Sequence, residues 1–301
     1  MLLLLIGGFV AYLDAKLTRV DALRDYPGRP AATAGTNWLL VGSDSRAGLT
    51  AAQQAALSTG DSGGNRTDTI MVLHKPNSGP STLVSIPRDS YLDIPGNGKD
   101  KVNAAFAIGG PQLLVQTVER ATGLRITDYA EVGFGGFAGV VDAVGGVNIC
   151  VPQPLNDPAA GINLQPGCQD LNGAQSLGYV RTRHLYANQD LTRIQNQRTF
   201  LAALLAKATN PSTLVNPFKL VPLATNGVGS LTVDSGDHIW NLLGLGLAVR
   251  SNLVTTTVPI GSTPTVSGAG SVVLWDGARA QQFFAALAAD RQIPANLLTT
   301  G

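Results

Sequence analysis

The chain has 301 residues, 44% of them hydrophobic and 14% charged, which is enough apolar material for one large domain or two small ones. Its formal net charge of +1 provides no broad positive field, and this argues against nucleic acid as a partner. Any strong positive field must therefore be local.

The chain begins with an uncharged apolar segment at residues 1–13. The segment is shorter than the roughly 20 residues needed to span a bilayer. It also lacks the basic start and the small-residue cleavage site of a secretory signal. We interpret it as the outer half of an N-terminal membrane anchor, with an ordinary buried helix as the alternative. Residues 14–36, which carry Pro27, Pro30 and Gly35, are predicted to form a short helix and a linker.

Three apolar segments predict buried strands, at residues 37–41, 69–74 and 82–86. The second and third segments are connected by residues 76–80, a Pro-Asn-Ser-Gly-Pro sequence of hairpin length. These two strands are therefore expected to form an antiparallel pair.

The hairpin brings charged residues to one edge of the predicted sheet. Asp68 precedes the first strand and Arg88 follows the second, so both fall at the same end of the antiparallel pair. If strand 37–41 runs parallel to the second hairpin strand, Asp44 joins them there. Ligands of open α/β sheets usually bind at such an edge.

The rest of the chain mixes helical and strand patterns without an internal repeat or a break in composition. Proline and glycine positions and apolar spacing predict helices at 111–121, 134–144, 191–208 and 278–288, and strands at 147–151, 253–260 and 272–275. We therefore expect one α/β domain at residues 37–290, followed by a C-terminal tail at 291–301.

Asp44 and Asp68 are the candidate ligands of a metal ion. Mg2+ commonly takes one or two protein carboxylates and completes its octahedron with phosphate oxygens and water. Two carboxylates from different strand ends meet that requirement. The alternative is that each aspartate caps a turn, Asp44 within the Ser43-Asp44-Ser45 loop.

Arginine outnumbers lysine fifteen to six, and its planar guanidinium suits the forked recognition of phosphate. Charge-assisted hydrogen bonds of this kind contribute about 1.5–3 kcal/mol each, so a few are enough to hold a pyrophosphate. The alternative is surface salt bridging with Asp89 or Asp190. The candidate phosphate ligands are Arg66, Arg88, Arg181 and Arg183.

A second polar group lies at the start of the helix predicted at 191–208. Asp190, Arg193 and Gln197 are spaced so that they share one helix face, where backbone N–H groups favour an anion. The alternative is a solvated face with an aspartate N-cap. No metal-ligand spacing connects the three histidines, which are expected to be structural: His74, His184 and His238.

Cys150 and Cys168 are the only cysteines, and they flank a stretch rich in proline and glycine. A disulfide between them would close an irregular loop and stabilise the fold by about 3 kcal/mol in the chain-entropy model. The alternative is two unrelated free thiols. A disulfide would agree with a membrane anchor, because both indicate a domain outside the cytoplasm.

An ordered series of short motifs runs through the chain: Gly42-Ser43-Asp44-Ser45-Arg46, Arg66-Thr67-Asp68-Thr69, Ser85-Ile86-Pro87-Arg88-Asp89, Lys101-Val102-Asn103-Ala104-Ala105-Phe106, Gly145-Gly146-Val147, Tyr179-Val180-Arg181-Thr182-Arg183-His184 and Asp190-Leu191-Thr192-Arg193. Over about residues 36–290, this series resembles the LytR-CpsA-Psr (LCP) family of cell-wall proteins. The alanine-, glycine- and proline-rich composition and the cysteine pair are similar to those of actinobacterial members.

The resemblance implies a fold, a location and an activity. Family members are membrane-anchored enzymes with a single three-layer α/β domain outside the cytoplasm, in which helices flank a mixed central sheet and an apolar tunnel holds a lipid. They transfer a glycopolymer from a polyprenyl pyrophosphate carrier to peptidoglycan, normally to the muramic acid 6-hydroxyl, with Mg2+ or with Mn2+ in its place. For an actinobacterial member, arabinogalactan is the expected polymer.

Carried over by position, the resemblance implies a role for most of the candidate residues. Asp44 and Asp68 correspond to metal-linked aspartates, and Asp89 and Asn103 to further pocket residues. Asp89 is our first choice for the acid that helps to deprotonate the sugar hydroxyl, acting with Asp68 and Arg88. The implied pyrophosphate-binding residues are Arg66, Arg88, Arg181, Arg183, Arg193, Gln197 and Asn103.

The chain departs from the family pattern at residues 196–198. The chain has Asn196-Gln197-Arg198 where many relatives have Arg-Gln-Gln, so no role is assigned to Arg198. The apolar helices around Phe106, Leu114 and residues 134–144 are candidates for admitting an isoprenoid chain, but the sequence alone favours the alternative that they are ordinary core.

Two other functions would use the same site. A polyprenyl pyrophosphate–glycan pyrophosphatase would replace the sugar acceptor by water, and a non-catalytic protein would bind the lipid pyrophosphate without turnover. The chain shows no Walker loop, G-x-S-x-G elbow or dinucleotide-binding fingerprint.

Overall fold

The computed structural model describes residues 2–45, 49–59, 67–182, 189–208, 210–214, 216–250 and 253–299. The helices are α1 Leu2–Lys16, α2 Ala51–Ala56, α3 Val102–Thr122, α4 Phe134–Ala143, α5 Gly173–Arg181, α6 Gln189–Ala208, α7 Pro211–Leu214, α8 Pro217–Gly229, α9 Ile239–Arg250 and α10 Gly277–Ala288, followed by a 3-10 turn at Ala295–Leu297. The strands are β1 Thr18–Val20, β2 Thr36–Ser43, β3 Thr67–Lys75, β4 Thr82–Ile86, β5 Tyr91–Ile94, β6 Gly98–Lys101, β7 Asp128–Val132, β8 Val147–Val151, β9 Leu155–Asp157, β10 Ile162–Leu164, β11 Gly167–Leu171, β12 Leu231–Asp234, β13 Val254–Thr257, β14 Ile260–Ser262, β15 Thr265–Val266, β16 Gly270–Ser271 and β17 Leu274–Trp275.

Seven of these strands form a mixed central sheet in the order β1-β12-β7-β2-β3-β4-β13. β2 and β4 each run antiparallel to β3, whereas β7 is parallel to β2 and β13 is parallel to β4. Every residue of β4 is buried, as expected for an apolar strand that helices cover on both faces. This arrangement confirms the predicted α/β fold with a mixed sheet.

Helices on both faces of the sheet make three layers. On one face, α3 and α10 contribute Phe106, Leu114 and Phe283 to the largest buried cluster. On the other face, α9 packs Val249 into a cluster with Trp38 of β2. Because side chains alternate along a strand, β2 supplies both clusters from neighbouring positions.

A smaller unit beside the sheet carries the disulfide. Cys150 of β8 and Cys168 of β11 are register partners in an antiparallel pair and are bonded to each other, which confirms the bridge. Alternate residues of β8, among them Val147 and Ile149, are buried in a cluster shared with α4, α5 and α6. The disulfide-linked pair of β8 and β11 thereby packs against the helices that lie next to the central sheet.

The structure differs from the predicted helix at 111–121, because α3 begins at Val102. Gly109 and Gly110 have non-helical backbone angles, with φ of −134° and 64°, and they divide α3 into two segments. Pro111 opens the second segment, where its fixed φ and its missing N–H are tolerated. The proline and the apolar spacing after it therefore predicted only this second segment.

The amino-terminal region packs onto the domain. α1 lies against α8 and α9, and β1 pairs with β12 at one edge of the sheet. Residues 14–36, predicted as a short helix and linker, thus contribute a strand, and Arg29 within them forms a buried ion pair with Glu119. Within the described ranges, no helix is long and apolar enough to cross a membrane.

Candidate functional site

The hairpin of β3 and β4 brings Asp68 and Arg88 together at one end of the sheet. Ile70 pairs with Ile86, so Asp68, two residues before this pair, faces Arg88, two residues beyond it. Nη1 of Arg88 lies 2.5 Å from Oδ1 of Asp68, and both side chains are partly exposed. A ligand can therefore reach a charged pair that the hairpin itself aligns.

A β-bulge directs Asp68 out of the regular strand pairing. Gly42 pairs with Thr69 and Ser43 pairs with Thr67, which leaves Asp68 as the extra residue of β3 opposite β2. Bulges of this kind often re-aim a side chain next to a functional site. Here the bulge leaves the Asp68 carboxylate beside Arg88, at the rim of the sheet.

Arg88 is the centre of a wider charged network. Its Nε donates to Oδ2 of Asp89 at 3.3 Å, and Nζ of Lys101 lies 2.9 Å from Oδ1 of the same carboxylate. The backbone N–H of Asn103 donates to the carbonyl of Arg88, which fixes the first turn of α3 beside it. Lys101 was not predicted as a site residue, although it opens the Lys101–Phe106 motif.

Asp44 lies at the same end of the sheet. It follows Ser43, the last residue of β2, whose partner Thr67 precedes Asp68. Two carboxylates at adjacent strand ends fit a Mg2+ ion that takes its other ligands from phosphate and water. The described part of the chain holds no group of three or more acidic, histidine or cysteine side chains that could bind a metal.

A cavity of about 210 Å³ lies beside these charges, on the sheet face that α6 and α9 cover. Near the strand ends its lining includes Asp68 and two polar residues from helices, Arg181 and Gln197. The rest of the wall is mainly apolar and includes Phe134, Phe137, Phe200, Leu201, Leu242 and Leu245. This arrangement suits a ligand with a charged group at one end and a long apolar part.

Arg181, the last residue of α5, reaches the cavity through a packed helix end. Its guanidinium carbon lies 4.9 Å from the centre of the Phe134 ring, and its Nη2 donates to the carbonyl of Ser58 at 3.1 Å. Gly178 lets α5 approach its neighbours closely, because a Cβ at this position would collide with Ile162. The glycine therefore sets where the Arg181 side chain begins.

Gln197 and Arg198 are neighbours in α6 with different surroundings. Gln197 is buried at the cavity wall, and its Nε2 donates to the carbonyl of Val180 at 3.2 Å. Nη2 of Arg198 instead donates to the carbonyl of Thr255 in β13 at 2.6 Å, and burial lowers the pKa of Arg198. Arg198 thus ties α6 to the edge of the sheet, whereas Gln197 lines the site.

Three further polar residues line the cavity and were not predicted as site residues: Ser43, Thr69 and Glu131. Oγ of Ser43 is buried and has no hydrogen-bond partner among the described residues. Oε2 of Glu131 accepts the Tyr129 hydroxyl at 2.9 Å, and burial, with the Glu131 charge beside it, raises the pKa of Tyr129 well above its usual value. Ser43 belongs to the Gly42-Ser43-Asp44-Ser45-Arg46 motif and could have been found from it. No sequence pattern marks Glu131, because only its pairing with Val41 of β2 brings it to the site.

Some predicted site residues lie outside the described residues. This holds for Arg66 and Arg183 and for the side chains of Asp190 and Arg193, and also for His184, which was expected to be structural. The predicted residues that the structure places around the strand ends and the cavity are Asp44, Asp68, Arg88, Asp89, Asn103, Arg181 and Gln197.

The helices predicted to make room for a lipid divide between the two faces of the sheet. α4 lines the cavity with Phe134 and Phe137. Phe106 and Leu114 of α3 are fully buried in the cluster on the opposite face, so the central sheet separates them from the cavity. For this pair the alternative is confirmed, and they are ordinary core.

The chain is similar to proteins of one family. The LytR_cpsA_psr family model matches residues 14–289. The chain is 54% identical over 287 residues to the "Probable cell wall biosynthesis protein LcpB" of Corynebacterium glutamicum, covering 95% of this chain and 68% of that protein. It is 34% identical over 239 residues to the "Polyisoprenyl-teichoic acid--peptidoglycan teichoic acid transferase TagU" of Oceanobacillus iheyensis, covering 77% of this chain and 69% of that protein. The chain thus spans about two thirds of each relative.

A solved structure shows the same fold. The "LytR-Csp2A-Psr enzyme from Actinomyces oris" superposes with a TM-score of 0.72 at 24% sequence identity, covering 90% of this chain and 96% of that one. At this identity the likeness establishes the architecture, in which helices flank a mixed sheet.

Proposed function

The chain belongs to the LytR-CpsA-Psr family, and from that premise we propose that it is a phosphotransferase that links a glycopolymer from a polyprenyl pyrophosphate carrier to peptidoglycan. The observation that carries the proposal is the Asp68–Arg88 pair at one end of an apolar cavity. Charges and apolar walls in one site match a pyrophosphate that bears a long isoprenoid. The name of the Oceanobacillus relative, a transferase of teichoic acid to peptidoglycan, supports this reaction class.

Arg88 and Arg181 are the proposed contacts of the pyrophosphate. A guanidinium can make two parallel bonds to phosphate oxygens, which a lysine cannot do. Because Arg181 stacks on Phe134, it also joins the charged end of the site to its apolar wall. The remaining proposed pyrophosphate contacts are Arg66, Arg183, Arg193, Asn103 and Gln197.

Asp44 and Asp68 are the residues that would hold Mg2+, or Mn2+ in its place. When bound, the ion would neutralise charge on the pyrophosphate. Asp68 also contacts Arg88, so one carboxylate would fix the position of the metal ion relative to the phosphate-binding arginine.

The proposed reaction forms a bond between the acceptor hydroxyl oxygen, that of the muramic acid 6-hydroxyl, and the phosphorus that carries the glycan. The bond from this phosphorus to the bridging oxygen breaks, and polyprenyl phosphate leaves. Arg88 and Arg181 neutralise the charge that develops on this leaving group. Asp89 is the proposed acceptor of the hydroxyl proton, and Lys101, 2.9 Å away, is a positioning residue for it.

Arabinogalactan is the proposed polymer, and the proposed location is outside the cytoplasm with residues 1–13 as part of a membrane anchor. The 54% identity to a corynebacterial cell wall biosynthesis protein supports a cell-wall polymer as the class of substrate. The disulfide between Cys150 and Cys168 supports the location, because such bonds persist in oxidising compartments.

A reconstituted reaction tests the proposal. Purified chain is mixed with Mg2+, a polyprenyl pyrophosphate–linked glycan and peptidoglycan oligomers in detergent. We expect a product in which glycan and peptidoglycan share a phosphodiester. Release of phosphorylated glycan without linkage would identify a pyrophosphatase instead. Tight binding of the lipid pyrophosphate with neither product would identify a non-catalytic binding protein.

A further inference from the structure

Large exposed hydrophobic side chains are concentrated on three helices. Among the described residues, six of the seven side chains of this kind lie on α1, α8 and α9, and the seventh is Ile108 of α3. Isolated exposed apolar residues are normal, but a concentration of them marks an interaction surface. We call these six residues the apolar patch: Leu4, Tyr12, Val221, Trp240, Leu243 and Leu247.

The three helices form one packed unit. α1 contacts α8 and α9, and Leu13, Val228 and Ile239 from these helices share a buried cluster. Oδ1 of Asp14 accepts the backbone N–H of Ile239 at 2.9 Å, so the end of α1 caps the start of α9. A fixed core therefore holds the helices that carry the patch.

α9 is apolar on two opposite sides. Trp240, Leu243 and Leu247 are three and four residues apart, so they form one stripe, and each is between 58% and 63% exposed. Leu242 and Leu245 lie on the other side and line the cavity. α9 therefore separates the cavity from the patch by the thickness of one helix.

The charges on the three helices are mainly positive. Their sequences contain the basic residues Lys16, Lys219 and Arg250 and a single acid, Asp14. The Asp14 carboxylate forms an ion pair with Arg19 at the junction of α1 and α9, which offsets its negative charge. The net charge of these helices is therefore complementary to an anionic surface.

Two members of the patch are of the type found where membrane meets water. Tyr12 and Trp240 combine a large apolar ring with a polar tip, and such residues concentrate at the head-group level. Nζ of Lys16 lies 5.5 Å from the centre of the Tyr12 ring, so a positive charge accompanies the aromatic side chain. Aromatic, aliphatic and basic residues together characterise helices that lie in the membrane interface.

We propose that the apolar patch docks the protein onto the surface of an anionic lipid bilayer, with α9 lying in the head-group layer. A second copy of the chain fits the patch less well, because a two-fold interface would bring the exposed Lys16 and Arg250 of the two copies together. The docking goes beyond the proposed transfer reaction and does not require it. In this position only α9 would lie between the bilayer and the cavity, which Leu242 and Leu245 of that helix line.

Trp240 offers a direct test of this docking. Of the three tryptophans, Trp38 is buried and Trp275 is partly buried with its Nε1 bonded to Ser90, whereas Trp240 is exposed. The whole 301-residue chain is mixed with phosphatidylglycerol vesicles without any substrate. We expect the tryptophan emission to shift to shorter wavelength and to be quenched by brominated acyl chains. The corresponding Trp240→Phe protein should lose both signals.

A pair of substitutions separates the patch from other membrane contacts. Leu243→Gln/Leu247→Gln should bind phosphatidylglycerol vesicles at least about tenfold more weakly, because two leucine side chains no longer enter the apolar layer. Ile108→Gln, the matched exposed control on α3, should bind as the unaltered chain does. Equal thermal midpoints would show that all these proteins are folded.

Three results would overturn the docking. Unquenched Trp240 in bound protein would mean that α1 alone holds the chain on vesicles. Unchanged affinity of the double variant would mean that α9 does not contribute. A dimer that the double variant disrupts, with no change in vesicle affinity, would assign the patch to a second copy. None of these results bears on the transferase proposal, whose detergent assay contains no bilayer.

Discussion

Nη1 of Arg88 lies 2.5 Å from Oδ1 of Asp68, a residue twenty positions earlier in the chain. Two local features create this contact, the hairpin of β3 and β4 and the bulge that releases Asp68 from regular pairing with β2. The strand pairing of the fold therefore aligns the two side chains. An arrangement fixed in advance is what electrostatic stabilisation of a phosphoryl transfer requires, because no reorganisation is then needed during the reaction.

Removing the charge of Asp68 should stop the reaction without unfolding the protein. We expect Asp68→Asn to reduce turnover in the detergent assay by about a hundredfold or more. The variant loses a proposed Mg2+ ligand and a carboxylate that aligns Arg88, and one oriented contact to developing charge is worth about that much. Arg88→Lys should be similarly impaired, because an ammonium cannot bond two phosphate oxygens in parallel. Asp93→Asn, in an exposed position of β5, is the control and should keep full turnover. Normal activity of the Asp68 variant would remove this residue from the site.

Filling the apolar part of the cavity should affect only carriers with a long chain. Leu245 lines the cavity, whereas Leu243, two residues away on α9, is exposed. Leu245→Trp should raise the KM for a long polyprenyl carrier by about tenfold, on the scale of one side chain's apolar contact, and leave a short-chain analogue unaffected. Leu243→Trp is the matched control. If both variants behaved alike in detergent, the isoprenoid would have to lie elsewhere.

The buried ion pair between Arg29 and Glu119 should stabilise the amino-terminal segment on the domain. Arg29 contacts two acids, Glu119 with 0% side-chain exposure and Asp25 with 81%. Glu119→Ala leaves a buried guanidinium without its partner and should lower the free energy of unfolding by about 3–5 kcal/mol. Asp25→Ala removes an exposed contact of the same arginine and should cause little change. Urea denaturation compares the two, and equal losses would contradict the assignment of Glu119 as the main partner.

Asp237 should make stability depend on pH. Burial, together with the nearby charges of Asp128 and Asp234, raises the pKa of Asp237 to about 7. Because this pKa lies above its value in the unfolded chain, the folded state binds the proton more tightly, and that stabilisation is lost as the pH rises through about 7. Asp237→Asn cannot ionise, so its thermal midpoint relative to the unaltered chain should rise between pH 4 and pH 8. A pH-independent difference would show that Asp237 titrates normally.

The sequence predicted the parts of the site that depend on local pairing. Asp68 and Arg88 flank two strands joined by a short turn, so their proximity follows from a hairpin alone. Lys101 was missed because β5 and β6, the short strands that return it to Asp89, show no apolar alternation. Glu131 was missed because its position depends on the pairing of β7 with β2, strands that are distant in the sequence.

α9, which covers the cavity, was harder to predict for a different reason. It contains apolar residues on most sides, and glycines interrupt it. A helix that is apolar all round has no hydrophobic periodicity to detect. In α9 this composition has a structural cause, since one side lines the cavity with Leu245 and the other exposes Leu243.

The origin of one oxygen atom in the product tests the central proposal most directly. The detergent reaction is run in 18O-labelled water, and the phosphorus-containing products are weighed by mass spectrometry. If a sugar hydroxyl is the nucleophile, the glycan–phosphate–peptidoglycan product contains no 18O, and Asp68→Asn and Arg88→Ala proteins do not form it. A released glycan phosphate that carries one 18O atom would show that water attacks the phosphorus, and it would contradict the assignment of the chain as a transferase.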